Sequence, residues 1–225
     1  MSKVVLVCSE PIRRRMAGIG IRYLRLAEEL ATQLGDGFEV LLLSPSPSDG
    51  GDELPTVPGV AVERLDSERL AEQLSDAHCV VAQGQLANDV LIQCPQLPVA
   101  IDLYDPWLIE NLHYFESMGL DPYRNDHATW LLQLSKGDFF LCSSAEQRLY
   151  YLGFLTAVGR VNPHSVEDDP EFTSRIGIVP FGIDVREEQH RPYLDPPAPS
   201  QAESCKRLLF GGLYDWYDPI TALDG

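Results

Sequence analysis

The chain has 225 residues, 44% of them hydrophobic, enough to bury a full core in one domain with an extension or in two small domains. Its 17 basic residues face 34 acidic ones, a formal net charge of −17, which repels nucleic-acid phosphates and anionic lipid headgroups unless a local patch such as Arg13-Arg14-Arg15 overcomes it. No apolar run approaches the ~20 residues of a membrane span, and Met1-Ser2-Lys3 leads straight into Val4-Val5-Leu6-Val7 with no cleavage site, so a cytoplasmic protein without an integral membrane segment is expected.

Taken in chain order, short apolar runs alternate with segments of helical period. Residues 3–8 predict a first strand. After a polar loop, residues 20–34 place Ile21, Leu24, Ala27, Leu30, Ala31 and Leu34 at helical spacing, closed by Gly35 and Gly37. Strands are predicted over 38–44, 60–65, 78–83, 98–103, 138–143 and 177–180. Between them come a Pro/Ser/Gly/Asp loop over 45–58 and helices over 67–74, 85–93 and 145–159. A long helical stretch over 107–136 is interrupted where Gly119 and Pro122 break its period. This pattern predicts a Rossmann-like parallel sheet with helices on both faces, occupying residues 1–185.

Residues 186–205 are rich in Pro, Glu and Gln and predict a linker. A new strand over 207–210 then meets Gly211-Gly212, and a helix begins over 216–223. A lone strand and helical turn cannot form a domain, so 206–225 either joins the preceding sheet or opens a second, truncated domain.

The five cysteines, Cys8, Cys79, Cys94, Cys142 and Cys205, are scattered without a C-x-x-C pair and read as reduced core residues. His113, His127 and His164 form no metal or triad spacing, and each reads as a structural histidine before a cleft residue. Ser143-Ser144 lacks the G-x-S-x-G setting of an esterase, and no Walker loop occurs.

Ligand chemistry is sought at strand-to-helix turns. Gly18 and Gly20 open the first helix, where glycines admit a close anion and amide N–H groups favour phosphate; the plain alternative is a tight turn. Tyr23 stands where a dinucleotide fingerprint needs its third glycine, and Ser44-Pro45 where a ribose-binding acid is expected, which weakens a nicotinamide-dehydrogenase reading. Arg22, in the helix's first turn, is a candidate phosphate ligand or a solvated surface residue. Asp102 and Asp105 end a buried strand, placed to hold sugar hydroxyls or to act as acid or base, and Asp105 alternatively caps the next helix. Gly211, Gly212, Trp216 and Asp218 form a second ligand-competent turn beyond the linker.

The phrase Gly211-Gly212-Leu213-Tyr214-Asp215-Trp216-Tyr217-Asp218-Pro219 resembles the opening of the donor domain in a branch of glycosyltransferase family four. Asp102-Leu103-Tyr104-Asp105-Pro106, Cys142-Ser143-Ser144-Ala145-Glu146-Gln147-Arg148 with Tyr151-Leu152-Gly153 and Gly159-Arg160-Val161-Asn162-Pro163, and Val179-Pro180-Phe181-Gly182-Ile183 resemble the same branch, in the same order. The resemblance implies the acceptor-side half of a GT-B, retaining, metal-independent hexosyltransferase-like enzyme with a nucleoside diphosphate sugar as donor and no other cofactor. Its acceptor would be a glycan or glycolipid. It places Gly18 and Gly20 near the donor diphosphate, Asp102 and Asp105 near the reacting sugars, and Gly211, Gly212, Trp216 and Asp218 on the donor side. The family's Arg/Lys pair and acidic E-x-x-x-x-x-x-x-E segment are absent from this sequence, so these 225 residues alone are expected to be inactive, the rest of a donor domain being the missing partner. A stand-alone Rossmann-like module that binds a nucleotide or glycan without turnover is the competing expectation.

Overall fold

The computed structural model describes residues 2–13, 16–46, 54–182 and 220–221. The chain divides into two compact units, Met1–Phe181 and Gly182–Gly225. Of the second, Ile220 and Thr221 are helical; the linker and the candidate residues Gly211, Gly212, Trp216 and Asp218 lie outside the described residues.

In the first unit seven strands form one sheet: β1 (Ser2–Val7), β2 (Phe38–Ser44), β3 (Val60–Arg64), β4 (Cys79–Ala82), β5 (Val99–Asp102), β6 (Phe139–Cys142) and β7 (Ile176–Ile178). Their order is β3-β2-β1-β4-β5-β6-β7 and every pairing is parallel. It is a doubly wound α/β sheet of the Rossmann type. The helices are α1 (Gly18–Leu34), α2 (Leu70–Gln73), α3 (Gly84–Gln93), α4 (Trp107–Glu110), α5 (Phe115–Met118), α6 (Asp121–Lys136), α7 (Ala145–Ala157) and α8 (Pro163–Asp168).

The strands are nearly all apolar because both faces are covered, and successive residues serve opposite sides. Val5, Val7, Leu41, Leu43, Val80, Ala82, Val99, Ile101 and Phe140 pack with Leu70, Leu74, Val90, Trp130, Leu134, Tyr151 and Leu155 from α2, α3, α6 and α7. Val4, Leu6, Cys8, Val40, Leu42 and Val81 pack on Tyr23 and Ala27 of α1. Trp130 anchors the first face, its ring 4.6 Å from Phe154, 5.7 Å from Tyr150 and 5.8 Å from Tyr151. Aromatic contacts of this kind each add roughly 0.5–1.5 kcal/mol beyond area burial.

Helix α1 departs from its expected face in one respect: Ile21 is exposed, whereas Arg22 beside it is buried with Tyr23. The predicted 107–136 stretch is three short pieces, α4, a 3₁₀ turn over Asn111–Tyr114 and α5, followed by the longer α6, and Gly119 ends α5 at φ 71°. Helix α8 is an addition to the sequence expectation. It is started by a capping box, the Asn162 side chain accepting from the His164 and Ser165 N–H groups while Ser165 Oγ accepts from the Asn162 N–H.

Between α6 and β6 the backbone turns under the sheet at Gly137, where a Cβ would lie 2.6 Å from Ile101 Cγ1 and 3.0 Å from Phe140 Cε1 and the Gln133 carbonyl. Gly137→Ala is therefore expected to lower stability by about 1–3 kcal/mol through overpacking. A urea melt unchanged within about 0.5 kcal/mol would show that the turn simply shifts.

Candidate functional site at the carboxyl edge of the sheet

The strand order reverses at β1, whose neighbours β2 and β4 lie on opposite sides. Open parallel sheets bind ligands outside the carboxyl ends of the strands near such a switch point. The segments leaving that edge are Cys8–Glu10 after β1, Gln83-Gly84 after β4, Asp102–Asp105 at the end of β5, Ser143-Ser144 after β6 and Val179–Phe181 after β7. These contain both candidate aspartates.

Asp102 and Arg22 are brought together with each other. Asp102 has the strand parity of Ala100, which faces α1, so its carboxylate points at that helix. There Arg22 Nε donates to Asp102 Oδ2 at 2.7 Å and Nη2 to Oδ1 at 2.9 Å, with side-chain exposures of 2% and 0%. The third guanidinium arm, Nη1, donates to the Val179 carbonyl at 2.9 Å. The Tyr104 and Phe181 rings flank the cation at 4.9 and 5.3 Å. Burial pushes the Asp102 carboxyl up from the usual range, and the hydrogen bond and charge of Arg22 pull it back. Arg22 thus ties α1, β5 and the segment after β7 into one knot, each of its three nitrogens making one of these bonds.

The amino end of α1 is also engaged. Ala17, its N-cap, makes no side-chain cap bond, and the Gly20 N–H donates instead to Glu10 Oε2 at 3.0 Å. The Glu10 carboxylate thus caps one amide of the helix's first turn, where the helix dipole favours negative charge. A Cβ at Gly20 would crowd the Met16 side chain at 3.1 Å, whereas one at Gly18 would make only an ordinary contact, 3.8 Å from the Phe181 ring. Ser44, at the end of β2, accepts from the Ile12 N–H at 2.8 Å and so serves the loop after β1.

Asp105 is different in kind. It is half-buried, and α4 takes Pro106 as its N-cap without any side-chain bond, so Asp105 does not cap that helix. Its carboxyl is pushed up to about 7, first by burial, then by a hydrogen bond to and the charge of Glu110, then by the charge of Asp102. The loop that carries it is fixed from β6: the Tyr104 carbonyl accepts from Ser143 Oγ at 3.1 Å and from Gln147 Nε2 at 2.9 Å. Gln147 Oε1 in turn accepts from the Ser143 N–H at 2.8 Å and hydroxyl at 2.7 Å. Ser143 and Gln147 are therefore positioning groups at this edge.

Sequence reasoning missed three further groups here. The Tyr23 and Tyr151 hydroxyls and the Gln83 side-chain Oε1 are buried without a hydrogen-bond partner among the described residues. Tyr23 is felt by Asp102, Cys8, Arg22 and Tyr104, and Tyr151 by Tyr150, Asp105, Cys142 and Asp102, which puts both hydroxyls behind this edge. The legible signal was the phenol itself, since a buried Tyr usually finds a partner for its O–H.

The histidines stand elsewhere: His113 lies on the 3₁₀ turn after α4, His127 stacks on Tyr123 at 5.7 Å within α6, and His164 lies in α8. Cys8, Cys94 and Cys142 are buried and Cys79 partly so, all as free thiols, and burial pushes the Cys8 thiol up to about 12. Among the described residues no cluster could hold a metal ion, and no helix is long and apolar enough to cross a membrane.

Fold and site define a doubly wound α/β protein with polar and charged side chains gathered at the carboxyl edge of its sheet. No family model matches the sequence, and no curated protein matches it. Among solved structures, a Rossmann-fold NAD(P)-binding family protein from Shigella flexneri aligns with TM-score 0.39 and 12% identity, over 81% of this chain and 100% of that one. The C-terminal domain of Coenzyme A biosynthesis bifunctional protein CoaBC aligns with TM-score 0.35 and 10% identity, over 64% and 74% of the respective chains. At this level of likeness nothing about ligand or activity transfers.

Proposed function

We propose that the chain is the acceptor-side domain of a GT-B glycosyltransferase that moves a sugar from a nucleoside diphosphate sugar to a hydroxyl of a glycan or glycolipid. The observation that carries the reading is the separation of the two strand-end aspartates into different roles. Asp102 is locked to Arg22 and holds the edge together, while Asp105 is half-buried beside it with a carboxyl held near neutrality. That is the range in which a carboxylate takes a proton well at cellular pH.

In the proposed step the acceptor hydroxyl oxygen bonds to the anomeric carbon and gives its proton to Asp105. The bond from that carbon to the diphosphate oxygen breaks, and its electron pair leaves with the nucleoside diphosphate. Arg22 is committed to Asp102 and Glu10 holds the amino end of α1, so cations of the donor side must meet the leaving charge. This narrows the resemblance, which puts Gly18 and Gly20 beside the diphosphate. Domain closure would exclude water from the reaction.

The test is a transfer assay on the native gene product with a panel of nucleotide sugars, reading nucleoside diphosphate release and labelled product. Donor-dependent release coupled to acceptor glycosylation is expected; no release and no transfer with any donor would sink the proposal. The same engaged cation and helix end favour the second reading, a module that holds a glycan without turnover. It predicts saturable glycan binding in that assay's samples with no nucleotide released.

A further inference from the structure

Between β5 and β6 the chain makes an excursion whose first part is apolar yet outward-facing. Ile109, Leu112, Phe115 and Met118 recur at every third position through α4, the 3₁₀ turn and α5, and are 50%, 50%, 57% and 63% exposed. Residues three apart are neighbours on one side of a helix, so the series forms a stripe rather than a scatter. Leu120 and Tyr123 continue it. Contiguous exposed apolar surface of this kind marks a binding site rather than ordinary exposure. A groove of about 360 Å³ opens along it, lined by Asn111, Leu112, Phe115, Leu120, Pro122 and Tyr123.

We infer that this groove binds the uncharged alkyl tail of a single amphiphilic acceptor molecule whose sugar head reaches Asp105, an inference that rests on the transferase reading. Continuity supports it: Glu110, whose charge is felt at Asp105, directly precedes Asn111 and Leu112 of the groove wall. The candidate base and the first groove residue, Asn111, thus lie six positions apart along the chain. Size supports it as well, since the volume lies in the small-molecule range. Glu110, Glu116, Asp121 and Asp126 are carried by the same helices, which disfavours an anionic occupant.

The test is isothermal titration of the 225-residue chain with n-alkyl β-glucosides from butyl to nonyl, each below its micelle-forming concentration. Binding is expected to tighten about fourfold per added methylene until the groove is filled, from about 0.8 kcal/mol per buried CH₂. Phe115→Ser and Leu112→Ser, both exposed positions, should weaken nonyl glucoside at least tenfold with unchanged thermal unfolding. Ile92→Ser, an exposed apolar control on α3, should not. Affinity indifferent to chain length overturns the inference, as does equal loss in the control. Binding to phosphatidylcholine vesicles but not to monomers overturns it too, as does a concentration-dependent dimer abolished by Phe115→Ser. If tails bind through the groove but alkanols bind as well as glucosides, the groove stands and the sugar-acceptor reading fails.

Discussion

Arg22→Ala is expected to lower the unfolding free energy by about 3–5 kcal/mol, the cost of leaving a buried charge without its partner. For a chain of this size that corresponds to a melting temperature lower by roughly 6–20 °C. The loss exceeds a surface ion pair's because neither side chain has water to fall back on, with exposures of 2% and 0%. Three further contacts go with it: the Val179 carbonyl loses its donor, and Tyr104 and Phe181 lose the cation between them. Arg22→Lys is expected to recover little, since a lysine cannot make the two-pronged bond and reach Val179 as well. Arg22→Met combined with Asp102→Leu should return most of the stability, because two apolar groups leave no charge stranded. Urea melts of the four proteins decide the matter. An Arg22→Ala loss under about 1 kcal/mol would mean that Asp102 is protonated or hydrated there and that the knot is not structural.

That knot was only half legible beforehand. The strands could be read almost to the residue because a sheet covered on both faces leaves unbroken apolar runs such as the Val40 to Leu43 core of β2. The strand-end location of Asp102 was legible for the same reason. Its partner was not, since the two lie 80 positions apart and the link is made by strand parity plus the face that α1 occupies. Helical spacing assigned Ile21 to the core, yet the face that meets the sheet runs one residue on and takes Arg22 inside. The stripe from Ile109 to Met118 fails in the opposite way. Its period looks like a core-facing helix, and period alone does not say whether anything covers it. Helix α8 was invisible to periodicity because six residues carry too few apolar positions, although Asn162 followed by Pro163 and Ser165 is a capping signature.

Asp105 is where stability and chemistry are expected to pull apart. Its carboxyl should titrate at about 7 in a carbon-13 NMR series on the 225-residue chain, against about 3.9 for an unperturbed aspartate. Glu110→Gln should move that midpoint down, since it removes the neighbouring charge that follows burial among the causes. Because the folded pKa is raised, the native state binds this proton more tightly than the unfolded chain does. The contribution to stability is therefore complete below about pH 4 and is lost as pH rises towards 7. Proton acceptance from an acceptor hydroxyl requires the opposite form, so transfer should climb through pH 7 as the fold gives up that increment. Asp105→Asn removes the titration and with it the conflict. It should lower kcat about 10²–10⁴-fold with little change in donor KM, flatten the acid limb of the pH profile, and leave the protein more stable than its parent at pH 8. A variant that turns over within about twofold of the parent, or a carboxyl that titrates near 4, would remove Asp105 from the reaction.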